Sequence, residues 1–143
     1  METKGRILGI DWGEKRIGLA VSDPLGITAQ GLPTLAVSSS GETLREIAAT
    51  VRKWEVARIV IGLPLLMDGS EGEGTRKVRQ LGRRLEAELD LPVEFSDERL
   101  TSRIAEAALL EGDLSRKRRK EESDRLAAQL ILRNYLDSEG TNL

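Results

Sequence analysis

The chain has 143 residues, of which 39% are hydrophobic and 32% are charged, and its formal net charge is −2. This length fits one domain with a sizeable hydrophobic core. The chain has no cysteine and no histidine, which excludes disulfides, thiolate or imidazole metal sites, and Ser-His-Asp or Cys-His catalysis.

The ends and the apolar runs of the chain predict where it resides. Its first residues lead into only a short apolar stretch, unlike a signal peptide. No apolar run reaches the roughly 20 residues that span a bilayer. We therefore expect a cytoplasmic protein without a membrane partner, in which any catalysis uses carboxylates, lysine, hydroxyls or a bound metal.

The first part of the chain predicts three neighbouring strands. Residues 6–12 and 16–22 are apolar runs joined by a Gly-Glu-Lys turn, a spacing that predicts a hairpin. A third extended stretch covers residues 26–37, where glycine and proline favour an edge strand over a central one.

Helices and strands alternate in the remainder of the chain. The predicted elements are a helix at 42–53, a strand at 57–64, a helix at 75–89, a strand at 91–95, and helices at 101–111 and 122–137. The segment 112–121 is too charged to pack. Alternating strands and helices predict parallel crossovers with helices on both faces of the sheet. An antiparallel three-strand meander followed by parallel strands is the element order of a mixed, five-stranded ribonuclease H-like α/β sheet, and no linker divides the expected single domain, residues 1–143.

Asp11 is the first candidate site residue, because it lies at the end of the first apolar strand. Binding sites of α/β sheets lie at the carboxyl ends of the strands. The alternative is an aspartate that caps the following turn at Gly13.

Two further acids, Asp97 and Glu98, follow the last predicted strand. One of them can cap the next helix, whose N-terminus favours negative charge. Capping accounts for one acid better than for both, and the residues leave open whether Asp97 is a ligand or a cap.

Asp124 is a candidate because it lies on the apolar face of the last predicted helix. At 100° per residue, one stripe of the helix consists of Asp124, Ala128, Ile131 and Tyr135, flanked by Ala127 and Leu132. The opposite face consists of Arg125, Gln129 and Arg133. An unpaired charge on a buried face costs several kcal/mol, so Asp124 needs a cation beside it. The alternative is an acid in the first helical turn that water still reaches.

These acids could converge, since two positions end strands and one lies on a helix that packs over the sheet. Like charges so close together would repel, and a hard divalent cation would reverse this repulsion. Mg²⁺ or Mn²⁺ accepts oxygen ligands, which suits a chain without histidine or cysteine. Such carboxylate clusters serve two-metal phosphoryl chemistry.

Four stretches of the chain resemble the YqgF (RuvX-like) family, described as nucleases of precursor 16S ribosomal RNA and as Holliday junction resolvases. They are Gly9–Gly13 with Lys15–Ala20, Ile61–Pro64 with Met67–Ser70, Asp97–Ser102, and Asp124 with Ala127, Ala128, Ile131 and Leu132. The resemblance implies a ribonuclease H-like fold, metal-dependent nuclease activity, and Asp11, Glu98 and Asp124 as the acidic triad. Trp12 and Leu66 depart from the family pattern, but neither belongs to the triad.

Basic and hydroxyl side chains near these acids are candidate phosphate ligands. We expect nucleic-acid contacts from Lys15, Arg16, Arg99, Thr101, Ser102, Arg116, Lys117, Arg118, Arg119 and Lys120. The alternative for each is solvated surface charge.

The expected function is hydrolysis of phosphodiester bonds, with precursor 16S ribosomal RNA as substrate. Aromatic residues form only 3% of the chain, which disfavours base stacking and favours recognition of the backbone of structured RNA or branched DNA. The alternatives are a junction resolvase, a non-catalytic RNA-binding ribosome-assembly factor, and half of a sugar-kinase-like ATPase, which would need a second lobe. We expect a monomer or a weak homodimer.

Overall fold

The computed structural model describes residues 5–97 and 116–141. Its elements, in chain order, are β1 (Arg6–Trp12), β2 (Arg16–Ser22), β3 (Ala29–Ala36), α1 (Ser40–Trp54), β4 (Val56–Leu63), α2 (Glu73–Leu89), β5 (Val93–Asp97) and α3 (Arg116–Thr141). Each predicted strand and helix within these ranges is present. The helix predicted at 101–111 lies outside the described residues.

The five strands form one sheet in the order β3-β2-β1-β4-β5. β1, β2 and β3 pair antiparallel, whereas β4 pairs parallel with both β1 and β5. The predicted meander, the parallel second half and the edge position of β3 are therefore confirmed. Because β1, β4 and β5 are parallel, their carboxyl ends lie at the same edge of the sheet.

Helices cover both faces of the sheet, as predicted. On one face, large aliphatic side chains of the strands pack with Leu44, Ile47 and Val51 of α1 and with Val78 and Leu85 of α2. On the other face, α3 contacts β1, β2, β3 and β4. The buried apolar side chains in the described part of α3 are Ala127, Ala128, Ile131, Leu132, Tyr135 and Leu136, which confirms the predicted apolar stripe.

One prediction about α3 is wrong. The helix begins at Arg116, not at residue 122, so part of the segment judged too charged to pack is helical. Arginine, lysine and glutamate favour helix strongly, so a high charge content does not prevent a helix.

The face of α3 opposite the apolar stripe contacts the edge strand β3 and the loop before it. Nε2 of Gln129 donates to the carbonyl oxygen of Ala29 (3.4 Å), and a guanidinium nitrogen of Arg133 donates to that of Ile27 (3.2 Å). A side chain at Gly31 would meet Cγ of Arg125 at 2.6 Å. Small residues in β3 thus let α3 spread over a third strand.

The loops at the two ends of the sheet are held by carboxylates. Asp23, in the β2–β3 loop, accepts hydrogen bonds from the amides of Thr28 and Ile27. Both bonds lower the pKa of Asp23, and the bond from Thr28 has the larger effect. Glu71, in the β4–α2 loop, accepts two hydrogen bonds from Arg79, and these lower the pKa of Glu71. No helix among the described residues combines the length and hydropathy needed to cross a membrane.

Candidate active site

Asp11 lies on the α3 side of the sheet, near the carboxyl end of β1. It pairs with Gly18 across the β1–β2 hairpin. Gly9, two residues earlier and therefore on the same side of the strand, would place a Cβ 3.0 Å from Cβ of Leu132 in α3. The strand thus points the carboxylate of Asp11 to the face that α3 covers.

Gly18 brings Asp124 to the same place. A Cβ at Gly18 would overlap the carbonyl oxygen of Asp124, so the backbone of α3 rests directly on this strand position. Only glycine permits so close an approach of two backbones. Since Gly18 is the cross-strand partner of Asp11, the two predicted acids share one face and one end of the sheet.

Arg16 provides the cation that Asp124 was predicted to need. Its Nε lies 3.5 Å from Oδ2 of Asp124, and the two side chains are 20% and 25% exposed, respectively. The pair is therefore partly shielded from water. Solvent and salt screen its electrostatic attraction less than they screen that of a fully exposed pair.

A small depression adjoins this ion pair. It has a volume of about 140 Å³ and is lined by Gly13, Glu14, Lys15, Arg16 and Asp124. The two basic residues predicted to hold phosphates in the hairpin therefore lie beside Asp124. Lys15 is exposed, whereas Arg16 is half-buried.

The hairpin turn closes through the backbone. The amide of Gly13 donates to the carbonyl oxygen of Arg16 (3.0 Å). This bond satisfies the backbone group that a turn-capping Asp11 was expected to serve.

Asp97 lies on the other side of the sheet from Asp11. It is the last residue of β5 and pairs with Leu63, which packs in the core of the α1 and α2 side. Phe95, two residues earlier, lies on that same side, where a Cβ at Gly82 of α2 would meet its ring at 2.5 Å. This placement favours a role for Asp97 outside the acidic site.

The remaining predicted site residues are only partly covered by the structure. Glu98, Arg99, Thr101 and Ser102 lie outside the described residues. The backbone of Arg116, Lys117, Arg118, Arg119 and Lys120 forms the first turns of α3 and leads directly to Asp124. Among the described residues, no three carboxylates gather closely enough to hold a metal ion.

Sequence reasoning missed the role of Gly18 and the partner of Arg16. The signal for Gly18 was available, because a glycine inside a strand indicates a bulge or the close approach of another backbone. The pairing of Arg16 with Asp124 had no local signal, since it joins residues that are more than one hundred positions apart in the chain.

Comparisons with known proteins agree with this architecture. The solved structure of "T. thermophilus RuvC in complex with Holliday junction substrate" matches with a TM-score of 0.57 at 15% identity and covers 95% of this chain and 96% of its own. The complex of fowlpox virus resolvase with Holliday junction DNA matches with a TM-score of 0.57 at 12% identity, covering 94% and 98%. These likenesses confirm the ribonuclease H-like fold.

Sequence relatives cover nearly the whole chain. A "Putative pre-16S rRNA nuclease" of Dictyoglomus thermophilum is 46% identical over 133 residues, 93% of this chain and 96% of the relative. Another of the same name, from Moorella thermoacetica, is 49% identical over 137 residues, 96% of this chain and 98% of the relative. Both names describe nucleases, which confirms the predicted enzyme class and disfavours the kinase-like alternative. The family model "RuvX: Holliday junction resolvase" matches residues 5–138, and the chain therefore belongs to the RuvX family.

Proposed function

We propose that the protein is a divalent-metal-dependent nuclease whose catalytic acids and metal ligands are Asp11, Glu98 and Asp124. One observation carries this proposal: α3 rests on Gly18, the strand partner of Asp11, and so carries Asp124 to the end of the sheet where β1 terminates. This is the edge at which α/β folds place their sites.

The donor set suits Mg²⁺ or Mn²⁺. Asp11 and Asp124, the two triad members that the structure describes, offer only carboxylate oxygens, and the chain has no histidine or cysteine to provide imidazole or thiolate ligands. The arginine beside Asp124 shows that this carboxylate already lies next to a positive charge. When bound, such an ion activates water and stabilises the leaving oxygen of a phosphodiester.

The protein's own residues have three tasks in this proposal. Asp11, Glu98 and Asp124 hold the ion, while Lys15 and Arg16 bind the phosphate that occupies the adjacent depression. Further contacts to phosphates along the nucleic-acid strand come from Arg99, Thr101, Ser102, Arg116, Lys117, Arg118, Arg119 and Lys120.

The proposed substrate is structured RNA, namely precursor 16S ribosomal RNA, cut during ribosome assembly in the cytoplasm. The names of the relatives support this choice. The placement of the aromatic side chains supports it as well, because each is buried or half-buried, and none is a fully exposed wedge for opening a DNA junction. They are Trp12, Trp54, Phe95 and Tyr135.

We propose that the enzyme acts without a stable dimer. Resolution of a four-way junction needs two symmetric sites, and hence a self-complementary interface. Among the described residues, the large hydrophobic side chains that are exposed are Leu25, Ile27, Leu66 and Met67. They lie in two loops at opposite ends of the sheet, which does not favour one continuous apolar interface.

The second candidate is a junction-resolving DNA endonuclease, which the description of the family model favours. A third, an RNA-binding assembly factor, would use the same surfaces without cleavage. These three functions differ in whether the protein cleaves a nucleic-acid strand and in which nucleic acid it cleaves. Cleavage in the presence of metal separates the first two from the third, and the preferred substrate separates the first from the second.

The deciding experiment offers the full-length protein a structured precursor RNA and a four-way DNA junction. Each is incubated with Mg²⁺, Mn²⁺ or EDTA, using the wild type and Asp11→Asn. We expect metal-dependent cleavage of the RNA by the wild type alone. Symmetric nicking of the junction, with the RNA left whole, would establish the resolvase instead. Binding of RNA without cleavage under all conditions would favour the assembly factor.

A further inference from the structure

The ion pair between Arg16 and Asp124 places a cation of the protein at a carboxylate that is proposed to hold a metal ion. The 3.5 Å between Nε of Arg16 and Oδ2 of Asp124 is within range for direct electrostatic pairing. Both side chains are mostly shielded, so the guanidinium contributes to the electrostatic environment of this carboxylate.

Rigid elements fix both partners at the backbone. Arg16 is the first residue of β2, pairs with Ala36 of β3, and closes the hairpin turn through its carbonyl oxygen. The backbone of Asp124 is held against Gly18. The pairing is therefore built into the contact between the hairpin and α3, unlike a chance encounter of two side chains on exposed loops.

A metal ion and a guanidinium compete for the same carboxylate. Both are positive, and their mutual repulsion is strong at a few ångströms in a partly shielded site. Metal binding at Asp124 is therefore favoured when the guanidinium of Arg16 moves away. The depression beside the pair, of about 140 Å³, offers space toward solvent and is also the place proposed for a substrate phosphate.

We propose that Arg16 is an internal counter-ion that alternates between Asp124 in the metal-free protein and a substrate phosphate in the metal-loaded one. This inference rests on the proposed function. The planar guanidinium suits both partners, since it binds carboxylates and phosphates with the same paired N–H donors. Arg16 thereby weakens metal binding in the absence of substrate, and a phosphate that takes up Arg16 relieves this competition.

The test measures Mn²⁺ affinity by isothermal titration calorimetry, on full-length protein without nucleic acid. Arg16→Gln is compared with the wild type and with Lys15→Gln, which removes the same unit charge from the same depression. We expect Arg16→Gln to bind Mn²⁺ roughly two- to fivefold more tightly than the wild type, the range set by a partly exposed ion pair. The increase for Lys15→Gln is expected to be clearly smaller.

A further variant keeps the test decisive. Arg16→Lys retains the charge but loses the planar guanidinium, and it is expected to bind Mn²⁺ more tightly than the wild type and less tightly than Arg16→Gln. If Arg16→Gln does not fold, the comparison of Arg16→Lys with the wild type and with Lys15→Gln carries the test. Melting followed by circular dichroism verifies folding of each variant.

The possible failures are distinguishable. If the wild type binds Mn²⁺ and neither Arg16 variant binds it more tightly than Lys15→Gln does, the counter-ion role is overturned and the proposed function stands. If the wild type binds no Mn²⁺ and cleaves equally well in EDTA, the proposed metal-dependent function falls, and this inference falls with it.

Discussion

The two faces of the sheet are packed in different ways. The side covered by α1 and α2 carries large aliphatic residues such as Leu8, Ile10, Leu19, Ile59 and Ile61. On the α3 side, the strand positions nearest Asp11 and Asp124 are glycines, and α3 itself contributes Ala127 and Ala128. Both faces bury an apolar cluster, and on the α3 side a helix backbone also touches a strand. The α3 side therefore positions a carboxylate as well as stabilising the fold.

The largest expected effect separates carboxylates on the two faces. Asp11→Asn and Asp124→Asn, on the α3 side, should each lower the cleavage rate by more than about 100-fold, because loss of a metal ligand exceeds the 10- to 100-fold cost of losing a residue that only supports one. Asp97→Asn, at the end of β5 on the other side, is the matched control and should change the rate little. Glu98→Gln is expected to behave like Asp11→Asn. Rates are measured on a labelled structured RNA in Mg²⁺.

A reversed ranking would break this comparison. Loss of cleavage in Asp97→Asn with retention in Asp124→Asn would move the site to the opposite face. If Asp124→Asn were the only one of these α3-side variants to keep wild-type activity, Asp124 would not belong to the site.

The next effect concerns the close approach of α3 to the sheet. Gly18→Ala places a methyl group against the carbonyl oxygen of Asp124, and we expect it to lower the free energy of unfolding by about 1–3 kcal/mol and to impair cleavage. Gly41→Ala in α1 is the matched control, because a Cβ there meets nothing closer than 3.7 Å. It should leave stability unchanged or raise it by up to about 1 kcal/mol. Urea denaturation measures both, and equal effects would show that the glycine contact does not hold α3 in place.

A smaller effect is expected in nucleic-acid binding. Replacing Arg116, Lys117, Arg118 and Arg119 with glutamine should flatten the log–log salt dependence of RNA binding by about 0.7–0.9 units for each phosphate that the variant no longer neutralises. The control replaces Arg45, Arg52 and Arg84, which line a groove of about 350 Å³ between α1 and α2 on the other face. Its slope should stay near that of the wild type. If the first variant keeps the full slope, its basic residues are solvated surface.

The smallest effect belongs to the α1 and α2 side and concerns stability alone. Hydrogen bonds from Arg79 lower the pKa of Glu71 below its ordinary value of 4.5. The folded state therefore favours the charged carboxylate, so the stabilisation is complete above pH 4.5 and disappears as the pH falls through the lowered pKa. Glu71→Gln should melt slightly below the wild type at neutral pH, and the gap should close in acid. Cleavage at neutral pH should be unchanged, and a large loss would assign the β4–α2 loop to the site.

Much of this fold could be predicted from the sequence. Apolar periodicity and turn residues indicated every described strand and helix, because burial on one or two faces imposes its spacing directly on the residues. The glycine and proline of the third stretch correctly indicated the edge strand. The predicted start of α3 was wrong because a segment judged too charged to pack was left out of the helix, although arginine and lysine favour helix.

The candidate site was less accessible to sequence reasoning. Asp11 and Asp124 could be proposed from their positions on a strand end and an apolar helix face. Their convergence depends on how α3 crosses the hairpin, which Gly18 decides through a contact between residues far apart in the chain. The same crossing brings Arg125 and Gln129 over β3 and Arg133 to the loop before it, contacts that a helical wheel alone does not show.

The most direct test of the central claim is the anomalous scattering of Mn²⁺ in crystals of the protein. We expect a peak on the α3 side of the sheet, with carboxylate oxygens of Asp11 and Asp124 as ligands at about 2.1 Å. The peak should vanish in Asp124→Asn crystals soaked in the same way. Mn²⁺ bound on the α1 and α2 side of the sheet, or bound without either aspartate in an active protein, would contradict the assignment.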